Sequence, residues 1–343
     1  MALGVVLATA ACGGEDRPPP TTFAVVGGYV DVGNPRGLAG LIDAARQGAI
    51  NEVSPVMYQA RADGGLTVLT SAPALVREAR GRGARVIPTV RNLVGETWDG
   101  ALVHSLVTVP ALRTAHVKAL TQAASSMSWD GIDLDYENLN PADRSAFSRF
   151  AGELATAMHR AGKILTIAVP AATADSAVND VTVRAFDYAA LALVCDELRV
   201  MAYDAAWETS QAGAIAPLPW VRDVLAHLTS LVPGPRLVLG LAGYGYDWAA
   251  GRGEAVATRD VLQQARATSS QVQRDAASGC PWFRYRAGGL EHTVWFEDAT
   301  SARAKLELAH RYRLAGVILW QLGEEDPALW GALASPVRGV GVA

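Results

Sequence analysis

The chain has 343 residues, half of them apolar, and a net charge of −4. That is ample for a large core, built either as two ordinary domains or as one large α/β barrel carrying an insertion. No basic stripe or Lys/Arg cluster stands out, so nucleic acid is not an expected partner.

The first 22 residues, MALGVVLATAACGGEDRPPPTT, differ from the rest of the chain. Their apolar run is too short to span a bilayer. It resembles a secretory signal of the bacterial lipoprotein type, with Cys12 as the lipidated residue and Gly13 to Thr22 as a flexible tether. The positively charged stretch that opens such a signal is missing, consistent with a start upstream. An ordinary cleaved signal or a disordered tail is the plainer alternative. Export, with an extracytoplasmic site of action and a lipid anchor through Cys12, is the expectation. Only Cys195 and Cys280 remain, too few for a disulfide framework, and their places in the predicted layout are far apart. The six histidines show no metal-ligand spacing, and no metal or cofactor is expected.

From Phe23 onward short apolar runs alternate with helical patterns. FAVVGGYV reads as a strand and LAGLIDAARQG as a helix ending at Gly48; INEVSPVMYQ is a second strand. SAPALVREARGRG is a helix with Ser71 as its cap and Gly81 as its stop, followed by the strand ARVIPTVRN. VPALRTAHVKALTQAASSMS is a helix before the strand GIDLDYE. The next helix, NPADRSAFSRFAGELATAMHRAGK, starts at the cap Asn140 with Pro141 in the first position. ILTIAVPA is the fifth strand, VRAFDYAALALVCD a helix and LRVMAYD the sixth strand. PLPWVRDVLAHLTSLV is a helix, RLVLGLAGYG the seventh strand, SARAKLELAHRYRLAG the last helix and GVILWQLG the eighth strand.

Eight alternations argue for an α/β chain closed into a (β/α)8 TIM barrel, with an open doubly wound sheet as the fallback. The barrel is expected over residues 23–335, after the leader of residues 1–22 and before a tail of residues 336–343. About 55 residues, 244–298, separate strand seven from its helix; they are rich in Trp, Tyr and Gly and read as a small α+β insertion. No internal repeat is visible.

Within GIDLDYE, Asp133, Asp135 and Glu137 alternate with Ile132, Leu134 and Tyr136. In a strand the two sets face opposite ways, about 6–7 Å between neighbours of a set. A barrel strand would pack the apolar set on the helices and aim the acids inward, with Glu137 nearest the C-terminal mouth where such enzymes keep their sites. Several ionised carboxylates there are costly, so some must hold protons. A carboxyl kept protonated near neutral pH suits a general acid, which makes Glu137 the candidate donor. Asp135 can share a proton with Asp133. A solvated edge strand is the bland alternative. A Mg²⁺ or Ca²⁺ site is the rival chemistry, disfavoured because ligands on one straight strand do not surround an ion.

DGIDLDYE resembles the DGxDxDxE signature of glycoside hydrolase family 18, the chitinase family. VMAYD is similar to the family's Met-x-Tyr-Asp on strand six, at Met201, Tyr203 and Asp204, and GVILWQLG carries the strand-eight tryptophan, Trp320. LGLAGYGYDW, HTVWFEDATSARAKL and LWQLGEEDP resemble the bacterial branch with spore-cortex-lytic and germination hydrolases. The likeness runs from about Phe23 to Trp330. The family's Ser-x-Gly-Gly on strand three is replaced by VIPTVRN, and LysM modules are absent from the sequence.

The resemblance implies retaining, substrate-assisted cleavage of β-1,4 bonds in an N-acetylglucosamine (GlcNAc) polysaccharide. The sugar's own 2-acetamido group then replaces the second carboxylate of ordinary retaining glycosidases. Glu137 would protonate the leaving oxygen and then activate water. Asp135 would orient the acetamido N–H, with Asp133 behind it. Tyr203 would bond the acetamido oxygen, Asp204 would hold the −1 sugar and Trp320 would floor it. Met201, Tyr244 and Asn92 are further substrate-binding candidates, although Met201 also suits core wall. Tyr244, Tyr246 and Trp248 either line the cleft or pack the insertion; Trp98, Trp207 and Trp295 are weaker subsite candidates. Glu297 and Asp298 read as structural; Glu324 and Glu325, after strand eight, are within reach of substrate but such residues are usually solvated. The expected substrate is a peptidoglycan-type glycan in preference to chitin, acted on by a monomer. The alternatives are a non-catalytic glycan-binding barrel and an enzyme of this fold acting on a polysaccharide during its secretion.

Overall fold

The computed structural model describes residues 23–31 and 33–334; the leader, including Cys12, lies outside them. Eight parallel strands close on themselves: β1 (Val25–Val30), β2 (Glu52–Ala60), β3 (Thr89–Arg91), β4 (Gly131–Asp135), β5 (Ile164–Pro170), β6 (Glu197–Met201), β7 (Leu237–Ala242) and β8 (Gly316–Trp320). β1 pairs with both β2 and β8, which closes the (β/α)8 barrel. Outward residues such as Ile132, Leu134, Leu165, Ile167, Leu198 and Val200 are buried under the helices in one continuous core.

Local chemistry moved several boundaries. The third strand is interrupted: Arg85–Val86 pairs with β2, and Pro88, which has no N–H to give, separates it from β3. Ser71 is not a cap. The helix starts at Pro73, preceded by Ala72 in a left-handed conformation (φ 37°), and the hydroxyl accepting a hydrogen bond there is that of Thr70, from the Ala72 N–H. The helix expected over 109–128 has an unforeseen predecessor, Gly100–Thr108, capped by Asp99 through the Leu102 N–H. Pro110 holds Val109 extended and so divides it from Pro110–Ser126. The helix expected over 183–196 is likewise two pieces, Val181–Arg184 and Tyr188–Val194, because Asp187 caps the second.

Residues 244–298 form a five-stranded antiparallel sheet and the helix Thr258–Ala267, with their own small core of Val261, Ala265, Phe283, Val294 and Phe296. The opposite face of the strand Tyr244–Ala249 packs Tyr244, Tyr246 and Trp248 into the main core. Cys195 and Cys280 are free, buried thiols.

The barrel interior is ionic at its lower end. Arg199 of β6 is buried at 1% exposure and reaches Glu52 of β2, the Ser54 hydroxyl (2.6 Å), Asp133 (3.3 Å) and Glu197 (3.4 Å). Arg85 adds contacts to Glu52 (2.6 Å) and Glu197 (3.1 Å). Removing one member of a buried ion cluster leaves its partners uncompensated, at a cost of about 3–5 kcal/mol. Arg199→Met is therefore expected to lower unfolding free energy at pH 7 by about that amount in equilibrium denaturation. A loss under about 1 kcal/mol, the value of an exposed pair, would show that the cluster does not hold the barrel together.

Candidate active site

The site rises from this ionic layer along β4. Parallel pairing puts Thr89, Asp133 and Thr166 side by side on neighbouring strands. Both threonine hydroxyls donate to the Asp133 carboxylate, at 3.0 and 2.6 Å, and the Arg199 guanidinium lies 3.3 Å from it. Asp133 is fully buried and fully partnered, so its place is in the support and not at the cleft surface.

Asp135 lies one step higher and is held differently. Its Oδ1 is buried with no hydrogen-bond partner. Burial, then the neighbouring carboxylates Glu137 and Asp133, raise its pKa well above the ordinary aspartate range, with Arg91 opposing them. Glu137 follows two residues beyond the last paired residue of β4, half-buried at the mouth. Burial, and secondarily the charge of Asp204, push its pKa up to about 7.

β6 ends at Met201 and delivers Tyr203 and Asp204 to the same mouth. Asp204 takes a left-handed backbone (φ 60°), and its Oδ1 accepts hydrogen bonds from the hydroxyls of Tyr244 (2.6 Å) and Tyr246 (3.3 Å). The Tyr203 ring has room because β7 carries Gly240 beside it; a Cβ there would come within 2.9 Å of Tyr203 Cε1. Burial raises the Tyr203 and Asp204 pKa values, and the tyrosine hydrogen bonds partly offset this at Asp204. Trp320 closes β8 and tilts against Tyr29 of β1, ring centres 5.5 Å apart.

These groups surround an open cavity of about 430 Å³. Asp135, Glu137, Met201, Tyr203, Asp204 and Trp320 all line it, and Trp98 and Trp207 form its rim. Acid, hydroxyl and aromatic faces thus converge on one space, the composition of a small-molecule site with a few convergent polar groups. Among the described residues no group of three or more His, Cys, Asp or Glu side chains is arranged to hold a metal ion.

A model of the glycosyl hydrolases of family 18 matches residues 93–325. The chain belongs to that family. The cortical fragment-lytic enzyme of Bacillus subtilis (strain 168) is 28% identical over 301 residues, covering 83% of this chain and 69% of that one. A chitinase from Chromobacterium violaceum ATCC 12472 superposes with a TM-score of 0.85 at 30% identity, over 92% of this chain and 99% of that one. The spore cortex-lytic enzyme SleL of Bacillus cereus shares the fold, with a TM-score of 0.82 at 23% identity over 91% of this chain and 74% of that one. The chain spans about two thirds of the length of the curated relatives it matches.

Measured against this family 18 site, two residues expected to meet substrate stand elsewhere. Asn92 is wholly buried and bonds the main chain of Glu137; Tyr244 stands behind Asp204 and is not among the lining residues. Tyr246 also turns to Asp204, Trp248 packs against Tyr246, and Trp295 stacks on Trp282. Glu325 is not solvated: it is 1% exposed and accepts from Trp330 Nε1 and the Gly323 N–H. Glu297 anchors Lys305 (2.6 Å). Sequence reasoning missed Tyr29, Trp220 and Asp180 in the lining and Arg199 beneath it. Tyr29 had a signal, an inward register on β1, and Arg199 shared one, the inward register of Met201 and Tyr203; its partners had none, since Ser54 and Glu52 are 145 and 147 residues away in the chain.

The Glu137 carboxyl is expected to titrate near pH 7 by carboxyl-carbon NMR. Asp204→Asn removes a charge that favours the protonated form, so the midpoint should move down. A wild-type midpoint in the ordinary glutamate range, about 4.3, would contradict the burial account.

Proposed function

We propose that the protein is a retaining glycosidase that cleaves β-1,4 bonds of a GlcNAc-containing polysaccharide with help from the substrate's own acetamido group. The observation that carries this is the placement of Asp135 and Glu137 on one strand. The two acids stand on the same side of the cavity, so neither can attack the sugar from the face opposite the other. The remaining lining carboxylates are engaged: Asp204 by Tyr244 and Tyr246, Asp180 by the main-chain N–H groups of Thr182 and Val183. A two-carboxylate displacement needs a free nucleophile about 5–5.5 Å from the acid. The acetamido oxygen of a GlcNAc at the −1 position supplies one.

In this reading Glu137, half protonated near pH 7, gives its proton to the departing glycosidic oxygen while the acetamido oxygen closes on the anomeric carbon. Asp135 accepts a hydrogen bond from the acetamido N–H, which orients the group and steadies the ring cation. Tyr203 donates to the acetamido oxygen, and Trp320 supports the sugar face. Water, deprotonated by the Glu137 carboxylate, then opens the ring with retained configuration. The cortical fragment-lytic relative favours a peptidoglycan-type glycan over chitin. Export and anchoring through Cys12 complete the proposal; their support is the leader sequence alone.

The test compares GlcNAc oligomers with fully deacetylated glucosamine oligomers. Cleavage of the first only, with the β-anomer as the initial product by NMR, is expected. The rate should fall as pH rises through about 7, because the competent acid is the protonated form. Glu137→Gln should lower kcat by about 10²–10⁴-fold while oligomer affinity persists. Equal turnover of both oligomers would remove the acetamido group from the mechanism, and binding without any wild-type turnover would make the barrel a lectin.

A further inference from the structure

The ladder between β3 and β4 ends at the pair Arg91 and Asp135. Glu137 stands two residues past it, where no neighbouring strand remains to bond its main chain. A residue left so would swing with its loop, and its carboxyl with it. The structure instead provides one side chain in place of the missing strand. Asn92 Oδ1 accepts from the Glu137 N–H at 3.0 Å, and Asn92 Nδ2 donates to the Glu137 carbonyl at 2.9 Å. The carboxamide thus imitates a peptide group in a sheet. Its second N–H donates to the Asp99 carbonyl at 3.1 Å, and the Asp99 N–H returns to the Asn92 carbonyl at 3.0 Å.

The neighbours fix the same segment. Asn138 is left-handed (φ 58°), and its Nδ2 donates to the Trp98 carbonyl at 3.2 Å. Gly100 lets the chain pass: a Cβ there would lie 2.0 Å from the Asn138 carbonyl oxygen. Asn92 itself is fully buried and touches nothing in the cavity.

We propose that Asn92 is a positioning residue for the acid, holding the Glu137 main chain so that its carboxyl meets the glycosidic oxygen. The inference rests on the proposed role of Glu137 as proton donor. Its chemistry is strict. The site needs one acceptor facing an N–H and one donor facing a carbonyl, which among side chains of this size only a carboxamide supplies. Aspartate would turn an oxygen toward two carbonyl oxygens; alanine would leave a buried N–H and a buried carbonyl without partners.

The test uses two substrates of the full-length protein: a GlcNAc oligomer, whose alkoxide leaving group requires the proton, and the 4-nitrophenyl glycoside of the same oligomer, whose leaving group departs largely without it. A displacement of the acid on the order of 1 Å should reduce kcat on the natural oligomer about 10²-fold. Asn92→Ala and Asn92→Asp are expected to show that loss with KM little changed, and a much smaller loss on the nitrophenyl substrate. The ratio of the two rates does not depend on the folded fraction, so a variant that is merely unstable lowers both alike and refutes the proposal. Unaltered rates on both substrates refute it too. If Glu137→Gln leaves natural turnover intact, the acid assignment itself has failed; if Glu137→Gln is inactive while Asn92→Ala keeps the wild-type ratio, only the positioning role has.

Discussion

Everything in this barrel depends on the cost of keeping carboxylates on its axis. A charge moved out of water must be met by an opposite charge or by hydrogen bonds, or it must take up a proton. β4 uses each solution in turn. At the level of Asp133 the carboxylate has Arg199 and two threonine hydroxyls. One step higher, Asp135 has a buried oxygen with no partner, and its affinity for a proton rises. At the mouth Glu137 is lifted to about 7. The gradient from compensated to uncompensated charge gives three chemically similar acids different protonation behaviour: a support, a coupled neighbour and, in the proposed mechanism, a proton donor.

The insertion acts on that gradient from the other side. Its strand Tyr244–Ala249 sends two hydroxyls to Asp204, whose charge is one of the causes that raise Glu137. By stabilising the ionised Asp204, Tyr244 and Tyr246 preserve a negative charge near the acid. The sheet can do this because its outer face has a separate core around Phe283 and Phe296, so its inner aromatics are free to pack on the barrel. A segment that looked like a possible cleft wall is in part an electrostatic brace.

The fold was legible because its signals are local. Alternating apolar runs and capped helices announced eight repeats, and the acids of β4 were readable because a period of two predicts their common face. A break inside an element was less visible, since the Asp187 cap competes with an apolar period that continues across it, and the short helix Gly100–Thr108 before Pro110 was missed. The ionic layer could not be read. Glu52 sits in INEVSPV and Glu197 in CDELRVM, where a lone charge at a strand's start looks solvated; that they converge on Arg199 depends on barrel closure, which sets strands 145 or more residues apart face to face. Tyr29 and Trp220 were missed for the related reason that a cavity lining is a property of several elements at once.

Asn92 shows where a motif stops being informative. DGIDLDYE specifies which acids are present and which way they face, but the ladder that would hold the last of them ends at Asp135. Past that point geometry passes from repeating backbone bonds to whatever side chain can copy them. The four residues TVRN divide two tasks. Thr89 bonds the lowest acid and Asn92 grips the highest through its main chain. Each uses a hydrogen-bonding group of fixed polarity, so in this chain the two ends of the ladder of acids are held by different chemistry: a hydroxyl at the base and a peptide-like carboxamide at the rim.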